Sequence, residues 1–340
     1  MERLIARALF SLPSSVLTAM AGGPQTVNGL TLDPRIALMA RRAANSPPIA
    51  SVSPQDARAA MRTGFALIDA ERAPGVSVRE LALPASDGSP LEARLYQPAG
   101  SPGGEPLMVY FHQGGCVLGG VWTCDAWCSL LAAEARIRVL NVDYRHAPEH
   151  PYPAAVEDAL AAFDWALANA VDLGVDQTRI GVGGDSAGGY LSAVLCQARK
   201  QAGLTQPALQ LLIYPCTDWT ATEGSMVSMA GAYPLNADMM AWFAGHYLTD
   251  PDQRNDWRVS PALAPDKAAL APARIYTAGF DPLTSQAKAY AAMLSDAGVE
   301  TLYRNYPTLS HSFTAMSGAV PAARQALLEI AGDVRKALTA

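Results

Sequence analysis

The sequence predicts an α/β architecture, with a mostly parallel central sheet flanked by helices and carrying a helical cap. Three observations lead there. After Pro106, short and nearly continuous apolar runs alternate with Ala-rich helical stretches, the pattern of strands buried on both faces between crossover helices. The chain has 340 residues, 50% hydrophobic and 16% charged, enough apolar side chain for a large core. Between Asp218 and Trp257 the rhythm breaks into a segment rich in Met, Trp and Tyr, side chains suited to covering an apolar pocket.

In chain order, residues 1–75 read as helical pieces interrupted by Gly22-Gly23-Pro24 and Ser46-Pro47-Pro48, with helices expected over Leu30–Ala44 and Gln55–Arg72. The apolar stretch Ala8–Thr18 before Ala19-Met20-Ala21 has the outline of a secretory leader. Glu2 and Pro13 favour an amphipathic N-terminal helix instead. Glu80–Leu83 and Leu91–Tyr96 alternate as strands, with Asp87-Gly88 as a turn between them. Gly100–Pro106 reads as a turn. Six further strands are expected at Leu107–Phe111, Val139–Val142, Ile180–Val182, Leu209–Tyr214, Ile275–Ala278 and Thr301–Tyr306. Helices are expected at Val156–Asn169, Leu191–Ala202 and Ser285–Ala297. The expected domains are an N-terminal cap segment (1–75), a catalytic domain in two pieces (76–217 and 258–340) and a cap insertion (218–257).

Composition excludes several classes of function. The net charge is −6 and the most basic stretches, such as Arg41-Arg42, are two residues long, so no nucleic-acid partner is expected. No apolar run reaches the length of a membrane span. Five scattered cysteines do not form a disulfide framework, and a reducing, cytoplasmic location is expected. His146-Ala147-Pro148-Glu149-His150 fits a zinc-peptidase pattern, but Pro148, Pro151 and Pro153 oppose the single helix that such chemistry requires. Arg145 and Glu149 read instead as an internal polar network holding the loop. Cys124 and Cys128 lack a second ligand pair. No metal is expected.

The motif with most chemical content is Gly184-Asp185-Ser186-Ala187-Gly188, a G-x-S-x-G between an expected strand and an apolar helix. The turn is too tight for side chains at its flanks, hence Gly184 and Gly188. Ser186 projects from the corner as a nucleophile, and Ala187 offers a backbone N–H at a helix start, where negative charge is favoured. A phosphate-binding turn fails on detail, because Gly189-Tyr190 stand where Lys-Ser/Thr would be needed. A serine hydroxyl needs a base oriented by a third group. Only His246 and His311 follow Ser186. His311 lies after the last strand, whereas His246 lies in the insertion, so His311 is the expected base. Asp281-Pro282-Leu283 ends the preceding strand and places Asp281 at the carboxyl edge of the sheet, as the acid or as a helix N-cap. Developing negative charge also needs donors. His112-Gln113-Gly114-Gly115-Cys116 follows another strand, and its paired glycines leave backbone N–H groups open to close approach.

Together these motifs resemble the hormone-sensitive lipase family of α/β-hydrolase esterases, from about Leu91 to the C-terminus. His112-Gln113-Gly114-Gly115 is similar to the family's His-Gly-Gly-Gly, and Asp143-Tyr144-Arg145-His146-Ala147-Pro148-Glu149 to its Asp-Tyr-Arg-Leu-Ala-Pro-Glu. Gly184–Gly189 resembles its nucleophile turn, Asp281-Pro282-Leu283 its acid motif and His311-Ser312-Phe313 its His-Gly-Phe. The resemblance implies a Ser186, Asp281 and His311 triad. It also implies an oxyanion hole of Gly114, Gly115 and Ala187, and hydrolysis of short- to medium-chain carboxylic esters without a cofactor. The implied partner is a small-molecule ester, and a homo-oligomer is left open. Gln113 and Ser312 depart from the family pattern. Cys116, where the family often carries a bulkier aromatic residue, and Trp242 of the insertion are expected to line the substrate pocket. An amidase or peptidase on the same triad, or a non-catalytic small-molecule receptor, are the alternatives. His311 weighs against the receptor.

Overall fold

Period-2 alternation along the strands sorts the core into two layers. Leu107, Val109 and Phe111 of one strand face one layer, and Met108 and Tyr110 face the other. The computed structural model describes residues 2–339, so Met1 and Ala340 of the two terminal segments lie outside it. Its eight-stranded sheet runs β10-β9-β8-β7-β5-β6-β4-β3, and a two-residue hairpin, β1 (Thr26–Val27) and β2 (Leu30–Thr31), lies apart. The sheet strands are β3 (Val76–Pro84), β4 (Pro90–Pro98), β5 (Glu105–Phe111), β6 (Arg138–Val142), β7 (Val175–Asp185), β8 (Gln210–Ile213), β9 (Ala273–Phe280) and β10 (Thr301–Ser310). β4 pairs antiparallel with both β3 and β6, and the pairings among β5 to β10 are parallel.

The helices are α1 (Glu2–Phe10), α2 (Ser14–Met20), α3 (Pro34–Ala43), α4 (Pro54–Ile68), α5 (Asp125–Ala135), α6 (Ala154–Ala168), α7 (Ala187–Gln201), α8 (Ser225–Ser228), α9 (Ala237–Tyr247), α10 (Thr284–Asp296) and α11 (Pro321–Thr339). α6, α7 and α10 cover one face of the sheet, and α5 and α11 the other. No described helix is long and apolar enough to cross a membrane. All five cysteines are free and buried.

Several expected boundaries move for identifiable reasons. The helix expected over Leu30–Ala44 begins only at Pro34, because Asp33 caps it by accepting the Arg35 N–H at 2.8 Å and Leu30–Thr31 pairs in the small hairpin. The strand expected over Thr301–Tyr306 continues to Ser310 through a register shift that ends with Ser310 opposite Phe280. There Gly279 lets the Pro307 carbonyl approach to where a Cβ would lie at 2.3 Å. Arg145 and Glu149 do not share the expected network. Asp158, fully buried, takes the Arg145 guanidinium at 2.7 Å and its backbone N–H at 2.9 Å, whereas Glu149 pairs with Arg58 of α4.

Leu131 of α5 is fully buried in the layer that α5 shares with α11. Leu131→Ala is expected to lower stability by about 2–5 kcal/mol, read as a lower denaturation midpoint at unchanged denaturant dependence.

Candidate active site

Strand register places the chemistry. Because Ser310 of β10 pairs with Phe280 of β9, the next residues on each strand, His311 and Asp281, emerge side by side at the carboxyl edge. His311 Nδ1 lies 2.7 Å from Asp281 Oδ2, and His311 Nε2 lies 2.9 Å from Ser186 Oγ. Asp281 Oδ1 also accepts the Leu283 N–H at 2.8 Å, which closes the turn before α10, whose N-cap is Leu283 rather than Asp281. Asp281 is fully buried and Ser186 is 8% exposed, which leaves the hydroxyl reachable and the carboxylate dry.

Ser186 itself sits between β7 and α7 with φ 55° and ψ −115°. The glycines around it make that corner sterically feasible. A Cβ on Gly184 would lie 2.3 Å from the Gly188 carbonyl carbon, and one on Gly188 would lie 1.8 Å from the Phe111 oxygen. The Ser186 N–H donates to the Ile213 carbonyl of β8 at 2.8 Å, and the Ser186 carbonyl accepts from Tyr190 at 3.0 Å.

The loop after β5 completes the surroundings. Gly114 has φ 134° and lies against the Leu118 carbonyl, where a Cβ would sit 2.0 Å away; Gly115 has φ 62° and lies under the Phe243 ring. Among the described residues, no acceptor outside the regular elements takes the backbone N–H of Gly114, Gly115 or Ala187, and Ala187 opens α7. The Gly114 carbonyl, by contrast, is engaged by the N–H groups of Val117 and Leu118.

The two departures from the family pattern meet each other. Ser312 Oγ donates to Gln113 Oε1 at 2.5 Å, and Gln113 Nε2 reaches Thr314 Oγ1 at 3.3 Å. Ser312 holds φ 62°, the left-handed region in which glycine is the easier residue. Its hydroxyl thus ties the histidine loop to the glycine loop in a way that the usual pair of glycines could not.

Sequence reasoning missed Asp185, although it lies inside the serine motif. This fully buried carboxylate accepts from Thr314 Oγ1 at 2.7 Å, Tyr214 Oη at 3.0 Å and Cys124 Sγ at 3.3 Å. Burial pushes its carboxyl up, and these hydrogen bonds act in the opposite direction. The signal was an acidic residue at a position that the turn would otherwise give no reason to charge.

Next to Ser186 and His311 opens a cavity of about 590 Å³. Its wall comes from the N-terminal helices (Phe10, Met39, Met61, Phe65), from the glycine loop, and from Tyr233, Met239 and Phe243 of the 218–257 segment. Cys116 and Trp242 do not line it, contrary to expectation. Gly115 and Cys116 both take positive φ, and the Cys116 thiol lies in the core near Tyr247, where burial pushes it well above the usual thiol range. On α9, Met239 and Phe243, four residues apart, occupy the cavity face. Trp242 is rotated onto the next face and stacks edge-on against His246, its centroid 4.5 Å away. His246 therefore takes no part in the site.

A family model for the α/β-hydrolase fold matches residues 108–315, a span that holds Ser186, Asp281 and His311. The chain belongs to this family, in its hormone-sensitive-lipase-type branch. Carboxylic ester hydrolase LipN of Mycobacterium tuberculosis is 43% identical over 86% of this chain and 80% of its own length. The ethyl acetate hydrolase of Pseudomonas putida is 35% identical over 83% of this chain and 90% of its own. Among solved structures, an ester hydrolase from the metagenome of Lake Arreo, in complex with a bipyridine phosphonate derivative, superposes with a TM-score of 0.85. It is 37% identical and covers 89% of this chain and 96% of that one.

A double-mutant cycle over Gln113→Ala and Ser312→Ala is expected to give a coupling of about 0.5–1.5 kcal/mol in folding stability. Strictly additive losses in denaturation would show that the 2.5 Å contact does not link the loops.

Proposed function

We propose that the protein is a serine carboxylesterase that hydrolyses short- to medium-chain esters through an acyl-enzyme. The observation that carries this reading is the hydrogen-bonded chain Asp281–His311–Ser186 opening onto an apolar cavity. The names of the relatives, carboxylic ester hydrolase and ethyl acetate hydrolase, support the choice of ester over amide.

In this reading Ser186 Oγ bonds the ester carbonyl carbon while His311 Nε2 accepts its proton, and Asp281 keeps the Nδ1–H aligned and stabilises the imidazolium. The oxyanion receives the N–H groups of Gly114, Gly115 and Ala187, each such donor being worth about 2.7–4 kcal/mol. His311 then gives its proton to the departing alcohol oxygen. Water repeats the sequence on the acyl-enzyme, releasing the acid and restoring Ser186. No step calls for a cofactor. Residues 1–75 and 218–257 act as a cap in this scheme, since both contribute to the wall over Ser186.

Two measurements test it. Ser186→Ala is expected to lower kcat/KM for a p-nitrophenyl ester by at least about a thousand-fold while circular dichroism stays native. Near-normal turnover by the folded variant would remove Ser186 from the mechanism. The second concerns the cavity wall on α4. Gly64 lines it, and a Cβ added there would meet nothing within 4 Å. Gly64→Leu should therefore fold normally and cut hydrolysis of the longest accepted esters by about tenfold or more while sparing acetate. Equal losses at every chain length would separate the α4 wall from the ester's apolar part.

A further inference from the structure

Behind the glycine loop, outside the cavity, three side chains turn their ligand atoms toward one point. His112 Nε2 lies 3.3 Å from Asp143 Oδ1 and 3.4 Å from His146 Nε2, and His146 Nε2 lies 3.4 Å from the same Asp143 oxygen. Three donors held about 2.0–2.1 Å from a tetrahedral zinc ion are separated from one another by roughly 3.3–3.4 Å. The ring orientations agree independently. The two imidazole centroids are 5.3 Å apart with planes at 71°, and two imidazoles aimed at one tetrahedral ion would have centroids roughly 5.2 Å apart.

The fold builds this triangle from rigid parts. Phe111 of β5 pairs with Val142 of β6, so the next residues, His112 and Asp143, lie side by side at the strand ends. Tyr144 stacks on the His112 ring at 4.5 Å and donates its hydroxyl to the His112 carbonyl at 2.8 Å. His112 Nδ1 faces the Gln113 carbonyl at 2.8 Å, where it can only act as an N–H donor. This is the arrangement that orients metal-bound histidines elsewhere. His146 supplies the second imidazole of the triangle. It stands where the resembled family pattern has leucine, so the third ligand belongs to this chain. The Asp143 and His146 side chains remain 25% and 16% exposed, which gives an ion a route from solvent and leaves a fourth position for water.

We propose that His112, Asp143 and His146 bind one divalent cation of the zinc class, which braces the strand end leading into Gly114 and Gly115. Two imidazoles and one carboxylate suit such an ion in donor type and number. Since none of the three lines the cavity, the ion has no part in ester cleavage. Its effect is on the loop behind the site and on stability, through binding to the folded state alone.

Chelator-stripped protein titrated with Zn²⁺ in a calorimeter should bind one ion per chain, with a rise in Tm that grows with free Zn²⁺. His146→Leu should weaken binding by about 100-fold or more, and the exposed neighbour His150, changed to Gln, should leave it intact. No saturable binding by the parent, or binding unchanged in His146→Leu, overturns the proposal. If His146→Leu does not fold, zinc-edge anomalous diffraction from Zn²⁺-soaked crystals of the parent decides instead. A peak about 2.1 Å from His112 Nε2, Asp143 Oδ1 and His146 Nε2 supports the site, and its absence there rejects it.

Discussion

Ser186 is held at φ 55° and ψ −115°, a backbone conformation that costs on the order of 1–3 kcal/mol and persists only where its surroundings leave no alternative. Here the surroundings are β7 entering from one side and α7 leaving on the other. The turn between them is so close that Gly188 touches the Phe111 carbonyl of the neighbouring strand. Relaxing that corner would move three things at once: the hydroxyl, the Ala187 N–H at the head of α7, and the seat of β5 from which the glycine loop departs. The eight-stranded sheet supplies the rigidity, since β7 lies in its interior between β5 and β8.

Three loops from different strand ends converge on this corner, and the contacts between them are polar and specific. Asp185 ties the serine turn to Thr314 of the histidine loop and to Tyr214 at the end of β8. Ser312 ties the histidine loop to Gln113 of the glycine loop. Arg58 of α4 donates to the carbonyls of Val117 and Ala147, each at 2.8 Å, which seats the N-terminal helices on the same framework. A partly satisfied buried network is costly, so these links fix relative loop positions more tightly than apolar packing would. The two departures from the family pattern thus form one replacement contact.

Much of this was legible in the sequence because the signals are local. Apolar runs between Ala-rich stretches located the strands, and Gly184 and Gly188 marked a corner where no side chain fits. Asp281 and His311 could be named because each follows a strand, and the parallel register then brings strand ends together. What stayed hidden depended on tertiary rotation and register. Cys116 is adjacent to Gly115 in sequence, but positive φ at both residues turns its thiol into the core. Trp242 lies one step around α9 from Phe243, enough to take it off the cavity wall. The last residues of β10, Pro307 to Ser310, carry no strand signal of their own and are held by the bulged pairing with Phe280. His146, first read with His150, finds its partners instead in His112, 34 residues away, and in Asp143.

In the proposed mechanism Ser186 Oγ, activated by His311, is the atom that becomes acylated. The most direct test is peptide mapping of the protein after stoichiometric inactivation by an alkyl p-nitrophenyl phosphonate. A single phosphonyl group on Ser186 is expected, and none when His311 is replaced by alanine at the same exposure time. Full inactivation with the adduct on any other residue, or equally fast labelling without the His311 imidazole, would contradict it.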